Sequence, residues 1–201
     1  MEVVNDPSGS PHNTGTVLER GRLLVASPLL TDPNFWRTVV ILLEQGEEGA
    51  LGLVLNRPSD TELDIPLPGW ETAAAEPSVV FVGGPVQPEV AIALASADGG
   101  FSAQEPDGWR EVVGPIGTVD LDMDPLEASV RFHGIRIFAG YSGWGPGQLE
   151  DEIAAGAWFV VTATPEDVLN AHPAEMWSEV LRRQGGDLGM LANFPPHPSL
   201  N

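Results

Sequence analysis

The sequence predicts a single compact α+β domain in which helices cover a mixed sheet that contains a hairpin. Short apolar runs typical of buried strands alternate irregularly with amphipathic segments, which is the pattern of an α+β chain. Two such runs, 38–44 and 50–56, are separated by a glycine-containing turn, as in a β-hairpin. The length of 201 residues suits one well-buried core. We therefore expect one domain over residues 16–201, preceded by a disordered tail over 1–15 that is rich in polar and turn-forming residues.

The first half of the chain supplies most of the predicted strands. A short apolar run at 23–26 is typical of a buried strand, and a Ser-Pro pair ends it. The hairpin follows. Residues 59–77 are rich in proline and acids and predict a surface excursion with one short helical piece. Two further strands are predicted at 79–82 and 90–95; we favour a strand over a helix for the second because turn residues bound it on both sides.

The second half alternates strands with helices. Asp124 is predicted to cap a helix, because Pro125 would occupy its first position and Glu127 follows three residues after the cap. A strand at 135–139 leads into a glycine-rich stretch at 140–147. Beyond that stretch the pattern predicts, in order, a helix over 149–155 that Gly156 ends, a strand at 158–162, a short helix that starts at Thr164, and a helix over 173–184 that Gly185 and Gly186 close.

Composition excludes several classes of chemistry. The chain has no Cys, and all nine of its basic residues are Arg. It therefore lacks thiolate nucleophiles and thiolate metal ligands, the lysine of a P-loop and the lysine that anchors pyridoxal phosphate. No apolar run approaches the ~18 residues of a membrane helix, and no basic segment followed by an apolar one opens the sequence. We expect a soluble, cytoplasmic protein without membrane contact.

The charge of the chain argues against direct contact with nucleic acid. The formal net charge is −20 at pH 7, whereas a duplex-binding protein sets about 6–10 cations against phosphates. Nearly every Arg would have to converge on one surface, and the only basic pairs are Arg20 with Arg22 and Arg182 with Arg183.

We expect the purified chain not to bind duplex DNA at physiological salt. The physical reason is that its strong negative charge repels the phosphate backbone. Fluorescence anisotropy with a labelled duplex is the measurement. Sub-micromolar binding that weakens steeply with added salt would overturn the expectation.

A glycine-rich stretch at 140–153, with the sequence GYSGWGPGQLEDEI, is the most distinctive part of the chain. A strand leads into it, and acidic residues follow where a helix would have its first turn. Strand, glycine corner and helix together form a frequent ligand-holding arrangement. The same residues also fit a purely structural corner in which Tyr141 and Trp144 pack in the core. Both interpretations stay open from the sequence.

Catalytic and metal sites have weak support. Ser142 lies where a nucleophile elbow would place its serine, but Trp144 occupies the position at which that motif requires glycine. A calcium loop starting at Asp120 fails because Pro125 and Arg131 stand where Gly and Glu are needed. The four His stand singly, without metal-ligand spacing, at His12, His133, His172 and His197. We expect no metal site and no cofactor.

The block at 140–150, GYSGWGPGQLE, resembles the signature of the AlgH/YqgE family, whose members carry Gly-Tyr-(Ala or Ser)-Gly-Trp followed by Gly-Gln-Leu-Glu. Other blocks resemble further motifs of that family in the same order, namely LVASP at 24–28, DPNF at 32–35, GLVLNRP at 52–58 and GGPV at 83–86. The resemblance implies a bacterial protein with a compact α+β fold rather than a doubly wound nucleotide binder. Some members of the family are labelled transcriptional regulators.

The resemblance and the loop chemistry together predict one cleft at an edge of the sheet, where three strand exits would meet. Residues 32–36 are either a packed loop or a rim of this cleft. Arg57 is either an ion-pair partner of one of the many acids or the cation that holds an anionic ligand. The candidate ligand-binding residues are Asn56, Arg57, Gly83, Gly84, Tyr141, Ser142, Trp144, Gln148 and Glu150.

Two kinds of ligand fit this predicted cleft. One is a weakly held anion on Arg57, which Glu150 and its acidic neighbours would oppose. The other is a neutral polar molecule stacked on Trp144, with Gln148 as its amide partner. The favoured function is a ligand-binding or regulatory module that does not bind DNA directly. The alternatives are an enzyme in which Arg57 orients a small anionic substrate while Glu150 or His133 handles protons, and a protein-interaction module that uses the same patch.

Overall fold

The computed structural model describes residues 17–97 and 108–195, so the tail predicted over 1–15 lies outside the described residues, as do His12 and His197. The predicted α+β class is confirmed. The strands are β1 (Arg22–Ala26), β2 (Val39–Gly46), β3 (Gly49–Val54), β4 (Pro58–Glu62), β5 (Val79–Val82), β6 (Val86–Ser96), β7 (Trp109–Val113), β8 (Ile116–Val119), β9 (His133–Trp144) and β10 (Trp158–Thr162). The helices are α1 (Pro125–Arg131), α2 (Gln148–Ala154), α3 (Pro165–Val168), α4 (Met176–Gln184) and α5 (Gly186–Leu191), with a 3-10 turn at Trp70–Thr72.

The strands form one sheet in the order β10-β1-β2-β3-β9-β6-β8-β7, with β5 paired to β9 and β4 paired to β5. The β5–β9 pairing is parallel, whereas the other strand pairs of this sheet are antiparallel, so the sheet is mixed, as predicted. The long strand β9 contacts β3, β5 and β6, which places it at the centre of the fold.

The sheet curls into a half-barrel, and two contacts show that its far strand β7 lies near β2 and near the start of β1. Arg110 on β7 pairs with Glu44 on β2 at 2.8 Å. A Cβ added at Gly21, just before β1, would lie less than 3.0 Å from the Val113 side chain. The largest buried apolar cluster includes Leu23, Ile41, Leu53, Phe81 and Phe138, and α4 joins it through Met176, Trp177, Val180 and Leu181.

The predicted β-hairpin is present as β2 and β3, with a turn at Glu47 and Glu48 that is shorter than the sequence pattern indicated. The strands predicted at 23–26, 79–82, 90–95 and 158–162 are also present. The first part of the proline-rich stretch differs from the prediction, because residues 58–62 form β4. Pairing with β5 gives this polar segment its backbone partners, so a strand forms without an apolar run.

The glycine-rich stretch also differs from the prediction. The strand was expected to end at Ala139, but β9 continues to Trp144, and the turn occupies only residues 145–147. Pairing with β3 accounts for this extension, since Gly52 lies opposite Ser142 and Ala50 lies opposite Trp144. These small partners allow close approach of the two strands, and the glycines of β9 add no side chains of their own.

The helix ends follow the capping signals. Asp124 accepts a hydrogen bond from the Leu126 amide at 2.8 Å, as predicted for an N-cap, and Thr164 starts α3 with a reciprocal capping box to Asp167. Helix α4 begins at Met176, three residues later than predicted. The Gly185–Gly186 pair ends α4 but then starts α5, which the sequence pattern did not predict. Within the described ranges, no helix has the length and apolarity needed to cross a bilayer.

Candidate functional site

A cleft of about 260 Å³ lies where β3 and β5 end, and we call it the Arg57 cleft. Its walls are largely apolar, and three of its lining residues are prolines. The lining residues are Pro33, Asn34, Val54, Arg57, Pro58, Val82, Gly84 and Pro85. None of them is acidic, so Arg57 is the charged group of this surface.

The Arg57 side chain is half-buried, and its position is fixed by a backbone carbonyl. Its Nη2 donates a hydrogen bond to the Trp36 carbonyl at 2.6 Å. Within residues 17–97 and 108–195, no carboxylate oxygen lies within 4.0 Å of its guanidinium nitrogens. Burial lowers the pKa of Arg57, but an arginine remains a cation at neutral pH. The ion-pair alternative therefore finds no partner among the described residues.

The carbonyl that holds Arg57 belongs to a constrained turn. The next residue, Arg37, has a left-handed backbone with φ of 53°, which is uncommon for a residue with a side chain. Asn56 stabilises this conformation, because its Nδ2 donates to the Arg37 carbonyl at 2.9 Å while its Oδ1 accepts from the Val39 amide at 3.0 Å. Asn56 is 7% exposed and does not line the cleft. Its observed contacts are structural.

The side chain of Arg37 ties the same turn to the C-terminal helices. Its Nη1 donates to the Phe194 carbonyl at 2.7 Å, and its Nη2 donates to Ser178 Oγ at 3.2 Å. The guanidinium carbon lies 4.0 Å from the centre of the Trp177 ring, a cation–π contact. Burial lowers the pKa of Arg37 as well.

Gly83 and Gly84 join the cleft to the glycine-rich part of β9. A Cβ on either residue would lie less than 3.0 Å from the β9 backbone, at Gly140 for Gly83 and at Tyr141 and Ser142 for Gly84. The Gly83 carbonyl accepts from the Val54 amide at 2.8 Å and from Ser142 Oγ at 3.3 Å. Ser142 is fully buried, so it supports the cleft from behind.

Trp144 lies outside the Arg57 cleft, in a separate buried cluster. It is 5% exposed, and its ring stacks on Phe35 with centroids 6.0 Å apart. Its Nε1 donates to Glu152 Oε2 at 3.0 Å, and Trp158 Nε1 donates to the same oxygen at 2.8 Å. One carboxylate thus satisfies two buried indoles, an arrangement that stabilises the turn between β9 and α2.

Gln148 and Glu150 belong to the same structural corner. Gln148 accepts from the Gly145 amide at 3.1 Å and donates to Glu152 at 2.9 Å. Glu150 accepts from Gln45 at 2.7 Å, which links α2 to the hairpin. Tyr141 is half-buried and packs against the main core. The structure therefore brings Arg57, Gly83, Gly84, Ser142 and Asn56 into one region, whereas Trp144, Gln148 and Glu150 are engaged around Glu152.

Some residues that line the cleft were predicted only as a possible rim and not as ligand-binding residues. The segment 32–36 plays both roles considered for it, because Pro33 and Asn34 line the cleft while Phe35 packs on Trp144. The lining residues Val54, Pro58, Val82 and Pro85 were not predicted, although the last two flank the glycine pair. Across 17–97 and 108–195, no group of three or more His, Asp or Glu side chains is arranged to hold a metal ion.

The family model and the curated relatives that match this sequence point to the same group of proteins. A model of the family described as AlgH-like matches residues 23–189. A "UPF0301 protein" of Streptomyces coelicolor is 54% identical over 182 residues, covering 90% of this chain and 94% of the relative. Another of that description, from Mycobacterium avium, is 46% identical over 201 residues and covers all of both chains.

Two solved structures have the same fold. The crystal structure of a protein from Corynebacterium diphtheriae has a TM-score of 0.85 and 31% identity, over 89% of this chain and 94% of that chain. The solution structure of AlgH from Pseudomonas aeruginosa has a TM-score of 0.63 and 30% identity, over 96% of this chain and 100% of that chain.

Proposed function

We propose that this chain, which belongs to the AlgH-like family, is a cytoplasmic binding module that holds a small anionic ligand in the Arg57 cleft and acts without contacting duplex DNA. One observation carries the proposal. Arg57 is half-buried, has no carboxylate partner in the described part of the chain, and lines a cleft without acidic residues, in a protein that carries 29 of them.

The surroundings of Arg57 favour a ligand carboxylate as its partner. The hydrogen bond to the Trp36 carbonyl uses one nitrogen of the guanidinium, and a fork of several donors suits a carboxylate held by two parallel bonds. A half-buried cation without a counter-charge is unfavourable, so an anion that enters the cleft relieves that cost. The apolar walls select a ligand with a compact apolar body, such as an aromatic or branched monocarboxylate.

Binding without turnover fits this cleft better than catalysis does. General acid–base work needs a titratable group within hydrogen-bond reach of the ligand. The eight lining residues include no His, Asp, Glu, Ser or Tyr. The two proton-handling candidates are elsewhere, because Glu150 is bonded to Gln45 and His133 lies at the start of β9, opposite Ser96 on β6.

Binding of benzoate, measured by the shifts of backbone amide signals during a titration, tests the proposal. We expect saturable changes at Asn34, Val82 and Gly84, and little effect from benzamide, which has the same ring without the charge. We expect Arg57→Gln to weaken benzoate binding at least about fivefold, the effect of losing roughly 1 kcal/mol of charge-assisted hydrogen bonding. The free energy of unfolding should stay within about 1 kcal/mol of the parent, as expected for a residue held for binding.

Arg131→Gln is the matched control, because Arg131 is an exposed cation on α1 that pairs with Glu127. This variant should bind benzoate as the parent does. Equal binding by the parent and Arg57→Gln would contradict the proposal. A loss of unfolding free energy above roughly 3 kcal/mol in Arg57→Gln would instead identify Arg57 as a structural residue.

A further inference from the structure

A second cleft, of about 300 Å³, lies at the mouth of the half-barrel, where β7 curls back towards β2. We call it the mouth cleft. It shares no lining residue with the Arg57 cleft. Its lining residues are Arg20, Leu43, Glu44, Leu51, Ile92, Arg110, Glu111, Val112 and Thr118. Mouths of β-barrels are frequent positions for small-molecule sites, because the curled sheet gives a concave floor.

The floor of the mouth cleft is apolar. Leu43 and Val112 are buried in the main core, and Leu51 and Ile92 are partly exposed and pack against it. These side chains come from β2, β3, β6 and β7, so four strands build the floor. An apolar group of a ligand would cover the exposed parts of Leu51 and Ile92 and remove them from water.

The rim of the mouth cleft carries two cations and two anions. Arg110 Nη1 pairs with Glu44 Oε1 at 2.8 Å, but both side chains are more than half exposed, so this pair contributes little to stability and can share its charges with a ligand. Arg20 has no carboxylate within 4.0 Å among the described residues. Glu111 completes the rim, which has no net charge.

From this rim and floor we propose that the mouth cleft binds a zwitterion with an apolar side chain, namely an apolar α-amino acid. The ligand carboxylate would meet Arg20 and Arg110, the ammonium group would meet Glu44, and the side chain would lie on the apolar floor. A simple anion would face two rim carboxylates in a chain of charge −20, and a simple amine would face two guanidinium groups. The zwitterion offers an opposite charge to both the arginines and the carboxylates of the rim. Because it has no net charge, the negative protein does not repel it.

Four probes separate the parts of this proposal. L-Leucine has both charges and the apolar tail; 4-methylpentanoate lacks the amine, 3-methylbutylamine lacks the carboxylate, and glycine lacks the tail. Amide shifts at Leu51, Ile92 and Thr118 report binding at the mouth cleft. We expect saturable binding of L-leucine and at least about fivefold weaker binding of each of the other three, the effect of one lost contact of roughly 1 kcal/mol.

Two variants localise the effect. We expect Arg20→Gln, and separately the double variant Glu44→Gln with Arg110→Gln, to weaken L-leucine binding at least about fivefold. Arg57→Gln should leave the L-leucine shifts at Leu51, Ile92 and Thr118 unchanged, because Arg57 does not line the mouth cleft, and this keeps the result independent of the function proposed for the other cleft. The side chains that the double variant changes are more than half exposed, so we expect these proteins to fold.

Three results would overturn the proposal. The first is binding of 4-methylpentanoate or of 3-methylbutylamine at the mouth cleft, read from the amides of Leu51, Ile92 and Thr118, within twofold of L-leucine, because this cleft would then recognise only one charge. The second is the absence of a saturable shift at Leu51, Ile92 and Thr118 with L-leucine. The third is unchanged L-leucine binding in both mouth-cleft variants.

Discussion

Arg136→Met should lower the free energy of unfolding by roughly 3–5 kcal/mol, because it leaves three backbone carbonyls without their donor, each at a cost of about 1–3 kcal/mol. Arg136 lies within β9 and is 1% exposed. Its Nη1 donates to the carbonyls of Val168 and Asn170, both at 3.0 Å, and its Nη2 donates to the Glu76 carbonyl at 2.7 Å. One guanidinium thus joins three segments that are distant in sequence.

The charge of Arg136 is balanced without an acid. Within the described ranges no carboxylate pairs with it, and its Cζ lies 4.4 Å from the centre of the Phe81 ring. Burial lowers the pKa of Arg136 to about 10, so the side chain still carries its charge at neutral pH. Methionine has a similar length and fills part of the space, but it supplies no donor. The effect of the variant is therefore an effect of lost hydrogen bonds more than of lost volume.

Urea unfolding followed by tryptophan fluorescence measures this effect, since five of the six Trp are buried in the fold. The midpoint should fall while the slope m stays constant. Arg131→Met is the control, because Arg131 is an exposed cation of α1, and its replacement should change the free energy of unfolding by at most about 0.5 kcal/mol. A loss below about 1 kcal/mol in Arg136→Met would mean that water satisfies the three carbonyls.

Gly84→Ala should have an effect of similar size, with a loss of more than about 3 kcal/mol or a failure to fold. The backbone of Gly84 has φ of 157°, in a region that residues with side chains rarely adopt. An added Cβ would also lie less than 3.0 Å from the backbone of Tyr141 and Ser142, which cannot move without breaking the pairing of β9 with β3.

Two other glycines separate the causes of this loss. A Cβ on Gly46 meets no heavy atom within 4 Å, and its backbone needs no positive φ, so Gly46→Ala should be neutral within about 0.5 kcal/mol. Gly114 has open space but φ of 55°, so Gly114→Ala reports backbone strain alone, roughly 1 kcal/mol. If Gly84→Ala is no worse than Gly114→Ala, the close approach of the two strands adds nothing, and our account of this junction is wrong.

The fold class could be predicted from the sequence because most strands are apolar runs bounded by turn residues. The hairpin and the caps of α1 and α3 were predictable for the same local reason: their signals lie within a few residues of the structure they specify. The strand β4 and the helix α5 were not predicted. Strand β4 forms because it pairs with β5, a partner that the local sequence does not reveal. Helix α5 begins at the glycine pair that ends α4, and such a pair is more often the sign of a helix end than of a helix start.

Only part of the candidate site could be predicted from local sequence signals. The presence of Arg57 and Gly84 in one cleft could be anticipated, since both residues follow strands. The place of Trp144 could not, because it is set by Phe35, Trp158 and Glu152, which come from separate parts of the chain. The sequence around Arg136 also carries a signal of its surroundings. A cation inside an apolar strand needs partners, and its burial could have been inferred from the run Ile135-Arg136-Ile137-Phe138.

The antiparallel pairing of β1 with β10 has a consequence during protein synthesis. Arg22 and Thr162 are register partners separated by 140 residues, so translation at ~5–20 residues per second leaves one edge of β1 unpaired for roughly 7–28 s. The core side chains of β1 include Leu23, Leu24 and Val25, each of which is fully buried in the finished fold. Until β10 leaves the ribosome, this edge is open to nascent chains and to molecular chaperones.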